Sequence, residues 1–384
     1  MSKTVLLNDF LEKYKSLPKQ GSDEWIKSRE TTFGGSELAA LISKNKNKTC
    51  RKLLEEKIHA IKFDGNSFTF WGQLFEPVHR AVLESIYKTS IYETGSIPWK
   101  NEGFKYSPDG IGVVNKAHFI RLLKDNSILH LPADIDTLLK SLEECTRGQS
   151  TAAEHDDQDI LVLFEQKAPA NRVLNYAIPE YYTPQILSGL NVIDITDIGI
   201  YTEAVFKRCP LDKLSLTSIE YSESFRFTKN VFSVLPKYIG VIILSTPDAD
   251  YAHKLKSAYF NNRYTSDMYI DYGDSTPETF FSILEDWKNT DLIELHYVND
   301  ASNGNAFNDT FEAIKGNIIG VIPWKIFDIQ NHIVYRRDNY LNSYHPVILE
   351  GVNIIKQCKN ITDKSDIKKI IDTGVLKISA LLPK

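Results

Sequence analysis

The stretch ILVLFEQKAP, residues 160–169, constrains this chain most, because five apolar residues run directly into charged ones. A continuous apolar run of this length, rich in β-branched and aromatic side chains, predicts a strand covered on both faces. Burial of an unpaired carboxylate or ammonium is costly, so Glu165 and Lys167 require partners at the end of such a strand. Because strand side chains alternate, both residues are expected on the same face.

Composition narrows the class of protein. With 384 residues and 42% hydrophobic content, the chain is long enough for one large domain or two coupled ones. A net charge of −5 gives no overall nucleic-acid signature, so a polyanion would have to meet local positive patches. The four cysteines lie far apart without CxxC spacing, which argues against a zinc module or a disulfide framework and favours a reducing compartment. No apolar run approaches membrane-spanning length and no signal-peptide pattern is present, so we expect a soluble intracellular protein without membrane contact.

Apolar periodicity predicts a mixed α/β (α+β) fold in which a short central sheet is flanked by helices. GSDEWIKSRE predicts a short helix with Ser22 as N-cap, and TTFGGSELAALI a second helix with Ser36 as N-cap. SFTFWGQLFEPVHRAVLESIYK predicts an amphipathic helix, and SIYETGSIPWKNEGFKYSPDGIGVV a hairpin. Residues 207–313 look irregular apart from the helix PETFFSILEDWKN. IIGVIPWKIFDIQNHIVYRRDNYL predicts a strand, a turn and a strand before a helical C-terminus.

A second acidic residue is expected near Glu165. In YSPDG, a Pro-Asp-Gly turn presents Asp109 at the end of an extended segment. If the two strands are neighbours, the carboxylates converge and repel one another unless a cation lies between them, and oxygen ligands suit Mg²⁺ or Mn²⁺. Such a metal polarises a phosphoryl oxygen and lowers the pKa of a bound water that Lys167 could orient. Each motif alone is more often an ordinary turn or charged strand, so the prediction depends on their combination.

SPDG, followed by an apolar strand and EQKAP, resembles the PD-(D/E)xK nuclease core. The segments GSDEWIKSRETTFGGSELAALI, WGQLFE and YYTPQILSGL occur in the order typical of the lambda exonuclease/YqaJ-type viral recombinases. The segment IIGVIPWKIF, with its Pro-Trp pair, is similar to the corresponding segment of family members from large DNA viruses. The resemblance implies a restriction-endonuclease-like fold and a Mg²⁺-dependent exonuclease, with Mn²⁺ as a substitute. This enzyme would digest one strand of duplex DNA from a 5′-phosphorylated end, in viral recombination, repair or genome processing.

The resemblance also implies residue roles. Metal ligation falls to four residues: Asp109, Glu165, Gln166 through its backbone carbonyl, and Glu76. Lys167 would position or activate the attacking water. Three residues would hold the DNA: Arg29 and Ser36 at the terminal phosphate, and Gln185 near the scissile group. Independently of the resemblance, free N–H groups at the helix start of Gly34–Ser36 favour an anion there.

Plainer interpretations of the supporting residues stay open. Ser36 is an ordinary N-cap in one of them. Arg29 is then an exposed helix residue paired with Glu24 or Glu30, and Glu76 pairs with the arginine four residues further on.

Aromatic and basic residues outside the motifs allow further expectations. Trp25 and Trp71 are predicted to be core residues, and none of the nine histidines has metal-ligand spacing. The basic stretch SKNKNKTCRK is an ordinary solvated loop or, beside a phosphate pocket, a DNA contact through Lys44, Lys46 and Lys48.

The chain departs from the family in two segments. The family joins its two carboxylates by a short hairpin, so residues 115–159 are predicted to be an insertion that leaves and re-enters the sheet at nearby points. Residues 206–313 are predicted to be a second, family-divergent insertion, which leaves 1–205 and 314–384 as the nuclease core.

The insertions leave open whether this chain forms the ring-shaped trimer of lambda-type enzymes. Duplex DNA ends and a single-strand annealing protein are the expected partners, in the host cytoplasm or nucleus. Two alternatives remain: a structure-specific or nicking endonuclease, and a catalytically inactive DNA-binding scaffold.

Overall fold

A mixed sheet of seven strands with helices on both faces organises the part of the chain that the structure describes. The structure is a computed structural model. It describes residues 2–18, 22–61, 65–125, 159–214, 238–265, 267–299 and 304–383. Most of the predicted first insertion, including its polar end, lies outside the described residues, as do residues 215–237.

The elements follow one another in a mixed order. The first group is α1 (Lys3–Tyr14), α2 (Asp23–Ser28), β1 (Phe33–Gly34), α3 (Gly35–Leu41), α4 (Cys50–Ile58) and α5 (Ser67–Tyr87). The second is β2 (Ile97–Pro98), β3 (Phe104–Tyr106), β4 (Gly110–Asn115), α6 (Lys116–Asp125), β5 (Asp159–Lys167), α7 (Thr183–Val192) and β6 (Ile198–Arg208). The third is β7 (Ile239–Thr246), α8 (Ala249–Phe260), β8 (Ile270–Asp271), α9 (Pro277–Asn289), β9 (Glu294–Val298), α10 (Gly304–Ala313), β10 (Asn317–Tyr335), α11 (Tyr340–Cys358) and α12 (Lys364–Leu381).

The main sheet has the strand order β4-β5-β6-β10-β7-β9, and β8 pairs with β10. Strands β4 and β5 are antiparallel, whereas β5 and β6 are parallel. Asn115 at the end of β4 lies opposite Asp159 at the start of β5. The chain therefore leaves and re-enters the sheet at adjacent points, as the sequence predicts.

A small three-stranded sheet lies beside the main one. β1 pairs with β3 in parallel, and β2 pairs with β3 in antiparallel fashion, which confirms a hairpin in this segment. Because β3 runs into β4 within a few residues, the small sheet brings the start of α3 close to Asp109.

Hydrophobic side chains pack on both faces of the main sheet. Alternate residues of β5 point into two cores, with Val162 and Phe164 in one and Leu161 and Leu163 in the other. Helices α5, α6, α8 and α9 cover the first face, and α1, α3, α4, α7, α11 and α12 cover the second. The predicted mixed α/β architecture with flanking helices is confirmed.

Helices α5 and α6 belong to the first core. The predicted amphipathic helix is confirmed as α5: Phe75, Val78, Val82 and Ile86, which recur at helical spacing, are all buried, and Pro77 lies inside a continuous helix. Phe119 and Leu123 of α6 are fully buried in the same cluster. Residues 116–125 therefore pack as core, although they lie within the predicted insertion.

Strand β10 differs from its prediction. Instead of a strand, a turn and a strand, residues 317–335 form one strand that pairs with β7 over its first part and with β6 over its second. The polar residues that suggested a turn follow a register shift between Ile326 and Asp328. Gln330 is fully buried, and its amide donates to the buried carboxylate of Glu203. A partner inside the sheet thus allows a polar residue in the middle of a strand.

The region 207–313 is not irregular, so that prediction is wrong. Its described part supplies β7 and β9 to the main sheet and contains α8 and α10 in addition to α9, which is the predicted helix. Strand β7, IGVIILST, is buried throughout and lies between β10 and β9. The division of the chain into a nuclease core and two insertions stays a prediction.

Two further expectations concern cysteines and membranes. Cys50, Cys209 and Cys358, the cysteines within the described ranges, are buried and form no disulfide. No helix in those ranges is both long and apolar enough to span a bilayer.

Candidate active site

Three of the residues predicted to be catalytic converge at one edge of the β4–β5 pair. Asp109 directly precedes β4, and its Oδ2 accepts a hydrogen bond from the backbone N–H of Gln166 at 2.8 Å. Lys167 Nζ lies 3.4 Å from the same oxygen and also donates to Glu165 Oε1. The antiparallel pairing, with Gly110 opposite Phe164, places these groups together although they lie far apart in the sequence. Their catalytic roles stay predictions.

Glu165 is fully buried and accepts three hydrogen bonds from side chains. Lys167 and Gln185 Nε2, the latter at 2.5 Å, donate to Oε1, and the hydroxyl of Tyr106 donates to Oε2 at 2.6 Å. Burial and the nearby charge of Asp109 raise the pKa of Glu165 to about 8. A carboxyl group in this state is stabilised by a proton or by added positive charge.

The oxygen atoms at this edge fit a hard divalent cation. Asp109 and Glu165 supply carboxylates, and the side-chain Oε1 of Gln166 is buried without a hydrogen-bond partner among the described residues. Oxygen donors of this kind, with room left for water, suit Mg²⁺ or Mn²⁺. Within the described ranges no three His, Cys, Asp or Glu side chains form a metal-binding cluster, so carbonyl oxygens and water would complete the coordination.

Glu76 lies on α5 and lines the same cavity as Asp109. Burial and the charge of Asp109 raise the pKa of Glu76 to about 7. Arg80, the pairing partner considered for it, is 3.9 Å away and also pairs with Glu93. Glu76 is therefore near enough to respond to charge at the site, but it does not form a three-carboxylate cluster.

A cavity of about 770 Å³ lies on one side of the carboxylates, between α5 and the segment that follows β5. Its lining includes His79 and Arg172, which lie outside the sequence motifs, and Tyr182 of the segment YYTPQILSGL. His79 Nε2 lies 3.0 Å from Thr202 Oγ1, and burial and the Lys167 charge lower its pKa to about 3. Its only sequence signal is its position one helical turn after Glu76, and its imidazole is neutral at ordinary pH.

A second cavity, of about 270 Å³, lies on the other side. It is lined by Arg29, by the start of α3 (Gly34, Gly35 and Ser36) and by Lys105, and it extends to Asp109, Lys167 and Gln185. The structure thus joins the predicted phosphate-binding residues and the predicted metal ligands in one space.

Arg29 is held at the wall of this second cavity. Its Nη2 lies 3.0 Å from Glu37 Oε2, and its guanidinium lies over the ring of Trp25 with 4.5 Å to the centroid. Pairing of Arg29 with Glu24 or Glu30 is therefore wrong. Trp25 is half-buried and lines the cavity, so its prediction as a core residue is also wrong, whereas Trp71 is buried in the core.

The start of α3 differs from the prediction by two residues. Gly34 is the N-cap, and its backbone N–H donates to the Glu37 carboxylate at 2.7 Å. Ser36 therefore lies within the first helical turn and is not the N-cap. Its side chain is exposed at the cavity, where its hydroxyl is available to a ligand.

Tyr106 lines the second cavity and is a residue to which the sequence motifs assign no role. A Cβ atom at Gly35 or at Gly189 would overlap its ring, so both glycines make room for it. Its hydroxyl reaches Glu165 from this position. Its sequence signal is an aromatic residue directly before SPDG, on a strand whose neighbours are not obvious from the sequence.

The basic loop after α3 does not join either cavity. Lys44 and Lys46 are exposed, and Lys48 Nζ pairs with Glu56 Oε2 at 2.6 Å. DNA contacts by these three lysines stay a prediction.

Comparisons with known proteins match the region that carries this site. Residues 24–198 match the family described as YqaJ-like viral recombinase domain. A protein of the Vero-adapted Badajoz strain of African swine fever virus is 27% identical over 353 residues, which are 89% of this chain and 87% of that protein. The protein of the same name from the Pretoriuskop tick isolate of this virus is 28% identical over the same shares.

Solved structures of LHK-Exo are similar over part of the chain. LHK-Exo, an alkaline exonuclease from Laribacter hongkongensis, is 15% identical with a TM-score of 0.30, covering 48% of this chain and 74% of that one. LHK-Exo in complex with dAMP is 16% identical with a TM-score of 0.30, covering 47% and 73%. Every residue for which the sequence predicts a catalytic, metal-binding or DNA-binding role lies inside residues 24–198, the region that is similar to the YqaJ-like viral recombinase domain.

Proposed function

We propose that this protein is a Mg²⁺-dependent exonuclease that digests one strand of linear duplex DNA from a 5′-phosphorylated end. The observation that carries the proposal is the second cavity, which begins at Arg29 and Ser36 and ends at Asp109 and Lys167. A terminal phosphate bound at the first pair would lie next to carboxylates able to hold a metal. A terminal phosphate that holds the substrate in this position lowers the barrier to reaction, although the phosphate itself takes no part in the chemistry.

Mg²⁺, or Mn²⁺ in its place, would be held by Asp109, Glu165 and an oxygen of Gln166, with Glu76 nearby. When bound, it would polarise a phosphoryl oxygen and lower the pKa of a water. The match to a recombinase family supports a nucleic-acid substrate, and the orphaned Gln166 oxygen together with the raised carboxyl pKa values supports a cation here.

Lys167 acts as a cation in this scheme. Burial alone would lower its pKa, but the charges of Asp109 and Glu165 raise it above its ordinary value. The ammonium therefore donates hydrogen bonds, orients water and offsets developing charge, and it is not available as a general base. Gln185 and Tyr106 hold Glu165 in place from the other side.

The test uses end-labelled linear duplex with a 5′-phosphate or a 5′-hydroxyl, and a covalently closed circle, each with Mg²⁺ or with EDTA. We expect rapid Mg²⁺-dependent digestion of the phosphorylated end, slower digestion of the hydroxyl end and no cutting of the circle. Ready cutting of the circle would favour a structure-specific or nicking endonuclease. Tight DNA binding without cleavage in any metal would favour an inactive scaffold.

We also propose a place for this activity in viral recombination, repair or genome processing. Digestion of one strand leaves a single strand, which is the substrate an annealing protein requires. A homotrimer would be consistent with the resemblance, and sedimentation analysis of the purified protein with and without duplex DNA measures the oligomeric state directly.

A further inference from the structure

Lys105 lies beside the residues proposed to bind the terminal phosphate, yet no motif includes it. It is the cross-strand neighbour of Gly34 in the β1–β3 pair. A Cβ atom at Gly34 would overlap the guanidinium of Arg29, so Arg29 lies directly against this glycine. Lys105 on β3 and Arg29, which directly follows α2, therefore approach the same cavity, and both line it.

The cations around this cavity outnumber the carboxylates that balance them. Glu37 lies 3.0 Å from Arg29 Nη2 and 3.0 Å from Lys57 Nζ, so one carboxylate serves two cations. Lys57 is nearly buried and also donates hydrogen bonds to the backbone carbonyls of Arg29 and Thr32. Lys105 forms no ion pair within the described ranges and donates to the carbonyl of Ser28 at 3.0 Å.

An ammonium has three N–H donors, so one bond to a carbonyl leaves donors for a ligand. Two cations in a half-buried cavity also repel one another more strongly than in water. Burial and the Arg29 charge accordingly lower the pKa of Lys105. An anion between the two would relieve the repulsion, and the cavity provides the space for one.

We propose that Lys105 is the second cation of this pocket and that it provides the selection for a doubly charged terminal phosphate over an internal phosphodiester. The inference rests on the proposed function and deepens it. Glu37 already offsets much of the charge of Arg29, so Arg29 contributes directed hydrogen bonds. The uncompensated charge is that of Lys105. A terminal phosphate carries nearly two negative charges at neutral pH and a diester carries one, so an added cation favours the terminal group.

Binding in EDTA tests this without cleavage. A short duplex with a fluorophore at one end and a 5′-phosphate or a 5′-hydroxyl at the other is titrated with the full-length protein and followed by anisotropy. Lys105→Met removes the charge and keeps most of the apolar stem. Lys100→Met, at an exposed lysine of the same hairpin outside the cavity, is the matched control.

We expect the unmodified protein to bind the phosphorylated end roughly tenfold more tightly, as charge-assisted hydrogen bonds allow. Lys105→Met should lose most of this ratio with little change for the hydroxyl end, and Lys100→Met should keep it. Lys105→Arg should retain the ratio, because it conserves the charge. If Lys105→Met does not fold but Lys105→Gln does, Lys105→Gln takes the place of the methionine variant and is compared with Lys105→Arg.

A full ratio in a folded Lys105→Met or Lys105→Gln variant would overturn the inference. A different outcome would contradict the proposed function alone: the binding ratio would depend on Lys105, but Mg²⁺ would support no digestion of linear duplex. Digestion with equal rates on both ends would instead contradict the role of Lys105 and leave the nuclease activity standing.

Discussion

The two sides of the candidate site differ in the sign of their unbalanced charge. Asp109, Glu165 and Glu76 crowd one side, where burial and the charge of Asp109 raise the pKa values of Glu165 and Glu76. On the other side burial lowers the pKa values of Lys57 and Lys105, where cations outnumber carboxylates. The ring of Tyr106 lies between the two sides.

Each side would be more stable with a ligand of opposite charge, a divalent cation on the first and a phosphate on the second. Perturbed ionisable groups are frequent at functional sites, where ligand binding offsets their unfavourable interactions. On the proposed function, the metal-dependent chemistry and the selection of the DNA end therefore depend on different residues. Substitutions should therefore separate the two properties.

The largest effect is expected on the acidic side. Glu165→Gln and Asp109→Asn remove anionic ligation with little change in volume, so cleavage should fall by more than about a hundredfold on both kinds of DNA end. Initial rates on the two substrates measure the effect, and circular dichroism checks the fold. Glu285→Gln, at an exposed position of α9, is the control. Near-normal Mg²⁺-dependent rates in either site variant would remove this centre from consideration.

The next effect is expected on the basic side. Arg29→Ala removes the proposed charge-assisted hydrogen bonds to the terminal phosphate, and bonds of this kind contribute about 1.5–3 kcal/mol, or roughly ten- to a hundredfold in rate. The loss should apply to 5′-phosphorylated ends and spare 5′-hydroxyl ends and the Mg²⁺ dependence. Lys27→Ala, in the short helix α2 that ends directly before Arg29, is the matched control, because Lys27 is exposed and outside the cavity. An equal loss on both ends would mean that the two sides are not separable.

Tyr106 is the residue whose substitution sharpens the comparison, because it contacts both sides. Tyr106→Phe keeps the ring between Gly35 and Gly189 and deletes only the hydrogen bond to Glu165. We expect roughly a tenfold loss in cleavage on both ends, since Glu165 keeps its bonds to Lys167 and Gln185. The ratio between the two ends should not change. A change in that ratio would show that the ring also positions the start of α3.

The pH dependence of Mg²⁺ affinity should be set by the carboxyl groups of the acidic side alone. A metal must displace the proton that Glu165 holds below its pKa of about 8 and Glu76 below about 7. The affinity for Mg²⁺ should therefore rise with pH between 7 and 8, by no more than about tenfold for one proton released. Calorimetric Mg²⁺ titrations at several pH values measure it, and the binding ratio between DNA ends at pH 7 and 8 serves as the control. A flat Mg²⁺ affinity over this interval would contradict the raised pKa values.

The smallest effect is expected in the predicted first insertion. A short Gly/Ser linker in place of residues 126–158 should leave melting temperature, Mg²⁺ dependence and end preference unchanged, because the polar stretch RGQSTAAEHDDQ offers little apolar surface to bury and the flanking elements α6 and β5 are retained. A second version that also removes 116–125 takes away the buried Phe119 and Leu123 and should be several kcal/mol less stable. Equal stability of the two versions would show that α6 contributes nothing to the core.

Much of the catalytic edge could be predicted from the sequence, because its signals are local. A continuous apolar run predicts β5 as a buried strand, and alternation places Glu165 and Lys167 on one face of it. The N-cap Ser22 and the apolar face of α5 are also local patterns, and both are confirmed. The mixed fold followed from the order of these elements.

The errors in β10 and around the start of α3 share a physical cause: a partner that the local sequence pattern does not indicate overrides the local preference. Polar residues in β10 suggest a turn, but Glu203 on the neighbouring strand satisfies Gln330 inside the sheet. Arg29 has glutamates close by in sequence, yet it pairs with Glu37 across the start of α3. The same glutamate caps Gly34, so the helix begins earlier than Ser36 suggests.

The sequence by itself determined which chemical groups are present and the strand that carries two of them. It also predicted that Asp109 and Glu165 would meet if their strands were neighbours, and the antiparallel pairing of β4 with β5 fulfils that condition. Only the tertiary structure decided that Lys105 stands beside Arg29, that Tyr106 reaches Glu165 and that two cavities meet at Asp109. Short strands such as β1 and β3 have too few residues for a periodic signal, so their pairing, and the charges it brings together, depends on the packing of the whole fold.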